Sequence, residues 1–349
     1  LAEYRPGLRA PQQASWSVHD VEENSMRMHL KVAAAAVTMA FAGSVQAQTQ
    51  WDMPTPYPDA NFHTQNIMKF AEDVNKMSGG KLVIKIHSNG SLFKHPEIKN
   101  AVRGGQVPLG EFLLSSKSNE NPVFEVDSVP FLATSYDQAA KLWKASKGPV
   151  EKALDKEGLM VLYAVPWPPQ GMYTKKPVES LADLKGVKFR AYNAATETLA
   201  KLAGAVPTQV EVPDIPQAFS TGRVEAMITS PSTGANSKAW DFVKYYYDVQ
   251  GWLPKNVVVI NKRALRALDK AVQKAVLDAA KAAEPRGWSM SKTETTEKTE
   301  ALRKNGMTVS KPSAQLESGL KKIGQEMTDA WVKKAGADGR AVLKAYRGM

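Results

Sequence analysis

Leu181-Ala182-Asp183-Leu184-Lys185-Gly186-Val187-Lys188-Phe189-Arg190-Ala191-Tyr192-Asn193 is the stretch from which the rest of the chain can be read. Val187 and Phe189 alternate with Lys188 and Arg190, the period-two signature of a strand. Asn193 then predicts a helix N-cap, because its side-chain oxygen can accept from the first unpaired backbone N–H groups, and the helix should end near Gly204. A strand feeding a capped helix is the unit of an open α/β sheet, in which ligands sit where strands end and loops begin. Alternation sets Arg190 on the strand face opposite Val187 and Phe189, just before Tyr192 and Asn193. A guanidinium offers a planar fork of donors matched to a carboxylate and stays charged when desolvated. A lone strand arginine more often makes a surface ion pair, so spacing alone does not make Arg190 a clamp.

Outward from this stretch, helices and strands alternate in both directions. Residues 62–77 are amphipathic, with Ile67, Phe70, Val74 and Met77 at helical spacing and Gly79-Gly80 as a C-terminal stop. Leu82, Ile84 and Ile86 mark a strand, 96–103 a short helix, and 109–114 the next strand; the continuous apolar run 159–165 reads as a strand buried on both faces. Beyond Gly204, Asp214 opens a short helix to Gly222, and 224–229 is a strand. Gly105-Gln106-Val107 and Gly222-Arg223-Val224 echo one another, each joining a short helix to a strand. Together with the alternation, the echo predicts two similar α/β lobes. From Lys262 onward the chain is alanine-rich and helical, with a kink or break expected at Pro285 and Gly287, a strand at 306–310, and a last helix over 313–334.

The chain has 349 residues, 43% hydrophobic and 23% charged, enough for two packed lobes. No apolar run approaches the eighteen or so residues of a membrane span. Met26-Arg27-Met28-His29-Leu30-Lys31, the apolar run 32–42 and Ser44-Val45-Gln46-Ala47 form the basic, apolar and small-residue parts of a secretory signal at 26–47, with cleavage expected after Ala47. Residues 1–25 precede that signal and are set apart from the fold as a spurious or added extension. Export and the absence of cysteine together leave stability to core burial. The net charge of +11 belongs wholly to the part after Ala47, since Arg5, Arg9, Arg27 and Lys31 balance Glu3, Asp20, Glu22 and Glu23. A basic surface can attract nucleic acid, anionic membranes or small anions, but export argues against nucleic acid, and lysines dispersed among acidic neighbours read mostly as solvated surface.

Catalytic patterns are missing. His63, His87 and His95 match no metal spacing, and His63 and His95 fall in or beside loops with no carboxylate fixed beside them in sequence. Asp52 and Asp59 are separated by Pro54, Pro56 and Pro58, a stiff loop rather than a carboxylate pair. Nucleophile elbow, phosphate loop and dinucleotide fingerprint are absent. No enzyme, no cofactor and no metal are therefore expected.

The segment Thr174-Lys175-Lys176-Pro177-Val178-Glu179-Ser180 leading into Leu181–Arg190 resembles the central motif of DctP-type solute-binding proteins of TRAP (tripartite ATP-independent periplasmic) transporters. Asp127-Ser128-Val129-Pro130-Phe131-Leu132 is similar to that family's Pro-Phe-Leu turn, and Gly222-Arg223-Val224-Glu225-Ala226 to its Gly-x-Val element; the likeness runs from about Trp51 to the C-terminus. The resemblance implies an α/β periplasmic binding protein of two lobes bridged by a long helix. It assigns 48–168 plus about 256–295 to lobe I and 169–255 plus about 296–349 to lobe II. It also implies a periplasmic, soluble, monomeric protein that binds a small organic acid through Arg190 and delivers it to membrane permease subunits.

Where many members carry an asparagine beside the arginine, this chain has Thr229, Ser230 and, further on, Thr233, which are expected to replace it. A second cation is also missing near Trp167-Pro168-Pro169-Gln170, where Gln170 supplies an amide and Trp167 either walls the site or packs between lobes. With Tyr192 and Phe112, these residues favour a monocarboxylate with a compact hydroxy, oxo or aromatic body over a di- or tricarboxylate. Asn193 belongs to this set by position. From the first lobe, 55–63 with His63, and 92–97, should face the cleft, and Ser115, Ser116 and Asn119 are further candidates. An exported sensor showing its closed form to a receptor, or an enzyme acting on small acids, would draw on the same residues.

Overall fold

In the computed structural model, the described residues are 48–348. The expected extension at 1–25, the signal at 26–47 and the cleavage point after Ala47 lie outside them. The described chain opens with β1 (Thr49–Pro54), α1 (Phe62–Met77) and β2 (Leu82–His87), the two strands parallel. Asn61 caps α1 by accepting from the His63 N–H, and Ile67, Phe70 and Val74 are buried, whereas Met77 is 50% exposed at the frayed end.

Next come α2 (His95–Gly104), β3 (Leu109–Leu113), α3 (Tyr136–Asp155) and β4 (Leu159–Pro166). The chain then crosses through Trp167–Gln170 into β5 (Gly171–Thr174), β6 (Lys188–Ala191), α4 (Ala194–Leu202), β7 (Val206–Gln209), α5 (Ile215–Ser220), β8 (Ala226–Thr229), α6 (Pro231–Asn236) and β9 (Tyr245–Tyr247). It crosses back in β10 (Lys255–Asn261), which inserts antiparallel between β3 and β4. The closing elements are α7 (Lys262–Ala267), α8 (Lys270–Lys304), β11 (Thr308–Ser310) and α9 (Ala314–Arg347).

Two principal sheets result, β3-β10-β4 and β11-β9-β5-β8-β6-β7. They are the hearts of two lobes, and the helix that joins them is α8, which packs on α1 and β4 at one end and on α6 and β11 at the other. The expected echo has a physical basis: Gly105 and Gly222 both take the left-handed conformation that ends α2 and α5 (φ 76° and 68°), and Val107 and Val224 then bury.

One helical expectation is corrected and another gains a second segment. Pro285 and Gly287 do not interrupt α8, which runs unbroken through both. Pro285 is exposed and so is Lys281, whose carbonyl loses its helical partner, so water can satisfy that carbonyl. Gly287 is buried against β4, and a Cβ there would stand 2.7 Å from Asn66 Nδ2 and 2.9 Å from a methyl of Val165. Close approach of helix to sheet, not flexibility, is the reason for this glycine. The helix expected over 313–334 is followed by a second one: α9 (Ala314–Arg347) is two helices meeting at a kink at Gly336, in a backbone conformation (φ 61°, ψ −130°) that only glycine adopts readily.

Candidate ligand-binding site

Strands β7, β6 and β8 lie side by side and parallel, and their carboxyl ends open toward the first lobe. Arg190 near the end of β6, Glu211 just past β7, Thr229 at the end of β8 and Thr233 in α6 converge there. Across from them stand Tyr57, His95 and Leu113, with Trp167, Gln170 and Pro254 from the two crossing segments. These side chains, with Tyr192 and Val212, enclose a cavity of about 30 Å³, a measure on which one enclosed water needs roughly 10–15 Å³. The guest that fits is small.

Arg190 is 1% exposed. Its Nε donates to Val210 O at 2.9 Å, which ties β6 to the segment after β7, and its guanidinium carbon lies 5.3 Å from the centre of the Tyr192 ring. Nη1 is buried with no hydrogen-bond partner among the described residues, and no carboxylate lies within ion-pair distance of the group. Burial pushes the arginine pKa down to about 10, with Glu211 opposing the shift, so the cation persists at neutral pH. A buried cation with an unsatisfied donor is a strong site for an anion. Surface pairing, the more ordinary role for such an arginine, is not what the fold gives it.

Gln170 and Tyr192 are locked together: the Tyr192 hydroxyl donates to Gln170 Oε1 at 3.1 Å and accepts from Trp252 Nε1 at 3.1 Å, while Gln170 Nε2 donates to Pro168 O. Trp167 is both wall and packing residue. Its Nε1 donates to Asn256 Oδ1 at 2.9 Å, and its ring meets Tyr57 edge-on with centroids 4.9 Å apart. Thr229 and Thr233 add hydroxyl groups to the lining.

The remaining expected residues stand behind the wall or at its rim. Asn193 caps α4, accepting from the Thr196 N–H at 2.8 Å, and its Nδ2 donates to Ser115 Oγ at 2.8 Å, a bond between the two lobes. Ser230 caps α6, accepting from the Thr233 N–H. Ser116 bonds back to Leu113 O, and neither it nor Asn119 is in the lining. Phe112 is corrected: strand alternation turns it away from Glu111 and Leu113 into a separate apolar cluster with Ile98 and Val257.

The histidine reading is corrected as well. His63 lies in the first turn of α1, fully buried, with Nδ1 3.4 Å from Glu111 Oε1, and burial holds its pKa well below the usual histidine range. Glu111 Oε2 accepts from Thr55 Oγ1 at 2.6 Å, and burial raises the Glu111 pKa to about 7 against that bond. His95 opens α2 with Nδ1 3.0 Å from Glu211 Oε2. Its Nε2 accepts from the Leu113 N–H at 3.1 Å, which puts the proton of the neutral ring on Nδ1, pointing to Glu211. Both histidines thus have carboxylate partners that sequence distance concealed. Among the described residues no group of three or more metal-ligating side chains forms.

Sequence reasoning turned the segments that carry Tyr57 and His95 toward the cleft without choosing either residue as a contact, and it missed Leu113, Glu211, Val212 and Pro254. For Glu211 the signal was available in principle: a parallel strand paired with β6 must end beside Arg190, and Ala191 pairs with Gln209.

A chain of the same architecture is the extracytoplasmic solute receptor DctP7 of Bordetella pertussis, described as binding pyroglutamic acid, with 52% identity, a TM-score of 0.85 and coverage of 86% of this chain and 99% of that one. DctP6 of the same organism, also described as binding pyroglutamic acid, is 47% identical with a TM-score of 0.85, covering 86% of this chain and 100% of that one. A curated solute-binding protein of Albidiferax ferrireducens is 27% identical over 57% of this chain, and the match spans about three-fifths (61%) of that relative's length. The profile of bacterial extracellular solute-binding protein family 7, DctP, matches residues 56–334. With a bilobed α/β fold, a buried unpaired arginine at the strand ends and a match over most of its length, the chain belongs to the DctP family of bacterial extracellular solute-binding proteins.

Proposed function

We propose that this protein, a solute-binding protein for small organic acids and not an enzyme, takes L-pyroglutamate as its ligand. The acid is a five-membered lactam with one carboxylate. The observation that carries this reading is Arg190: a buried guanidinium with a free Nη1, in a cavity of about 30 Å³ that offers one fixed cation. Two relatives at 47% and 52% identity described as binding pyroglutamic acid support the choice of acid.

The carboxylate docks on Arg190, the ring lies against Tyr57, Trp167 and Tyr192, and the Thr229 and Thr233 hydroxyls reach the carboxylate or ring carbonyl. Ligand entry uses rotation of the lobes about the crossing segments at Trp167–Gln170 and Pro254, with boundaries at 48–168 plus about 256–295 and 169–255 plus about 296–349. Closure excludes water and strengthens the ion pair. The closed monomer then hands its ligand to TRAP permease subunits from the periplasm, after export and cleavage behind Ala47.

A thermal-shift panel tests the ligand directly: L-pyroglutamate, lactate, an aromatic 2-oxo acid, a sugar acid and succinate. Pyroglutamate should raise the melting temperature most, since a ligand at a hundred times its Kd adds about 2.7 kcal/mol to stability. A larger shift with any other acid and none with pyroglutamate would reject the assignment.

A further inference from the structure

Most polar groups around the cavity are already engaged with one another. Gln170 and Tyr192 bond to each other and to Pro168 and Trp252, Trp167 bonds to Asn256, and both nitrogens of His95 are used. Two charged groups keep open valences. One is Arg190 Nη1. The other is Glu211, 29% exposed, whose Oε2 is held by His95 while Oε1 accepts one hydrogen bond, 3.3 Å from the exposed Gln209 Nε2, and keeps a lone pair free. A carboxylate is an acceptor alone, so a guest whose anionic oxygen meets Arg190 can also place a proton donor on the free lone pair of Glu211.

Their placement limits what that donor can be. Arg190 Nε is bonded to Val210 O, and Glu211 is the next residue, so cation and acceptor stand beside one another at the ends of neighbouring strands. A single guest satisfies both if its carboxylate and its N–H are attached to the same carbon, as in a cyclic amide acid. A second carboxylate in that place would face the like charge of Glu211.

We infer that Glu211 is the residue that selects the ligand, accepting a hydrogen bond from the ring N–H of the acid whose carboxylate Arg190 holds. The inference rests on the reading of the cavity as a pyroglutamate site. His95 acts as the positioning residue: anchored by the Leu113 N–H of the first lobe, it fixes Oε2 and leaves Oε1 for the guest.

Isothermal titration of L-pyroglutamate and of its oxygen isostere, 5-oxotetrahydrofuran-2-carboxylate, against wild type, Glu211→Ala and Glu211→Gln tests this. Wild type should prefer the lactam by about tenfold to a hundredfold, the effect of one hydrogen bond to a charged acceptor. In Glu211→Ala the preference should collapse to within about threefold, the isostere binding as well as before or better. Glu211→Gln, which keeps an acceptor but no charge, should fall between. Equal weakening of both acids in Glu211→Ala, with their ratio retained, would show a merely structural role and overturn the assignment. If wild type binds both acids equally, Glu211 is not the selector although the site stands. If it binds neither, the pyroglutamate reading falls and this one with it.

Discussion

Replacing Glu111 by glutamine should flatten a pH dependence that the wild-type fold carries. The carboxyl is buried on β3, 2% exposed, hydrogen-bonded to Thr55 and 3.4 Å from a histidine that burial keeps neutral. Burial raises its pKa from 4.5 to about 7. Between those values the folded state holds a proton that the unfolded chain has released, so stability is complete below about 4.5 and declines as pH rises through 7. At about 1.4 kcal/mol per pH unit, the whole decline is about 3 kcal/mol. Glutamine has nearly the same shape, can still accept from Thr55, and does not ionise. Urea unfolding of both proteins from pH 5 to pH 8.5 reads the difference, in which titrating groups remote from Glu111 cancel. Wild type should lose about 2–3 kcal/mol relative to Glu111→Gln over that range, the first part of the decline lying below pH 5. Parallel stability curves would refute the claim that a buried carboxyl is being forced to ionise.

Three further outcomes are expected. Lys255→Met should cost about 3–5 kcal/mol in denaturant unfolding by leaving Asp127, 5% exposed, without its cation; adding Asp127→Asn should restore much of the loss. Gly287→Ala should destabilise by about 1–3 kcal/mol, because the new methyl meets Asn66 and Val165 where α8 lies on β4, and a melting temperature equal to wild type would contradict that packing. Asn193→Ala should lose about 1 kcal/mol of helix capping and also the interlobe bond to Ser115. Ligand affinity should fall with it, whereas Ser115→Ala should weaken affinity without the capping loss.

Local features of this fold were legible where local physics decides them. Asn193 and the glycines at 105 and 222 cap helices as their chemistry dictates, and the alternation at 187–190 yields β6. Non-local packing was not. A kink or break was expected at Pro285 and Gly287, but burial of Val276, Ala279, Ala280, Ala283 and Gly287 keeps the helix continuous past both, because tertiary contacts along a 35-residue helix outweigh one missing hydrogen bond. At the site, spacing alone favoured an ordinary surface ion pair for Arg190, and only the resemblance of the 174–190 motif to the DctP-type proteins implied that it clamps a carboxylate. Glu211 was missed, since an acidic residue in a loop is ordinary until β6 and β7 pair and bring it beside that arginine. Phe112 was misassigned by one residue, which in a strand exchanges one face for the other.

In the proposed function a buried cation, unsatisfied by the protein itself, is completed by the carboxylate of the guest. Titration calorimetry of L-pyroglutamate against wild type, Arg190→Lys and Arg190→Ala measures it most directly. Arg190→Ala should lose about 3 kcal/mol or more, roughly a hundredfold in Kd, and Arg190→Lys should recover only part of it because a point charge replaces the fork. Wild-type affinity for pyroglutamate in Arg190→Ala would show that Arg190 does not hold the ligand.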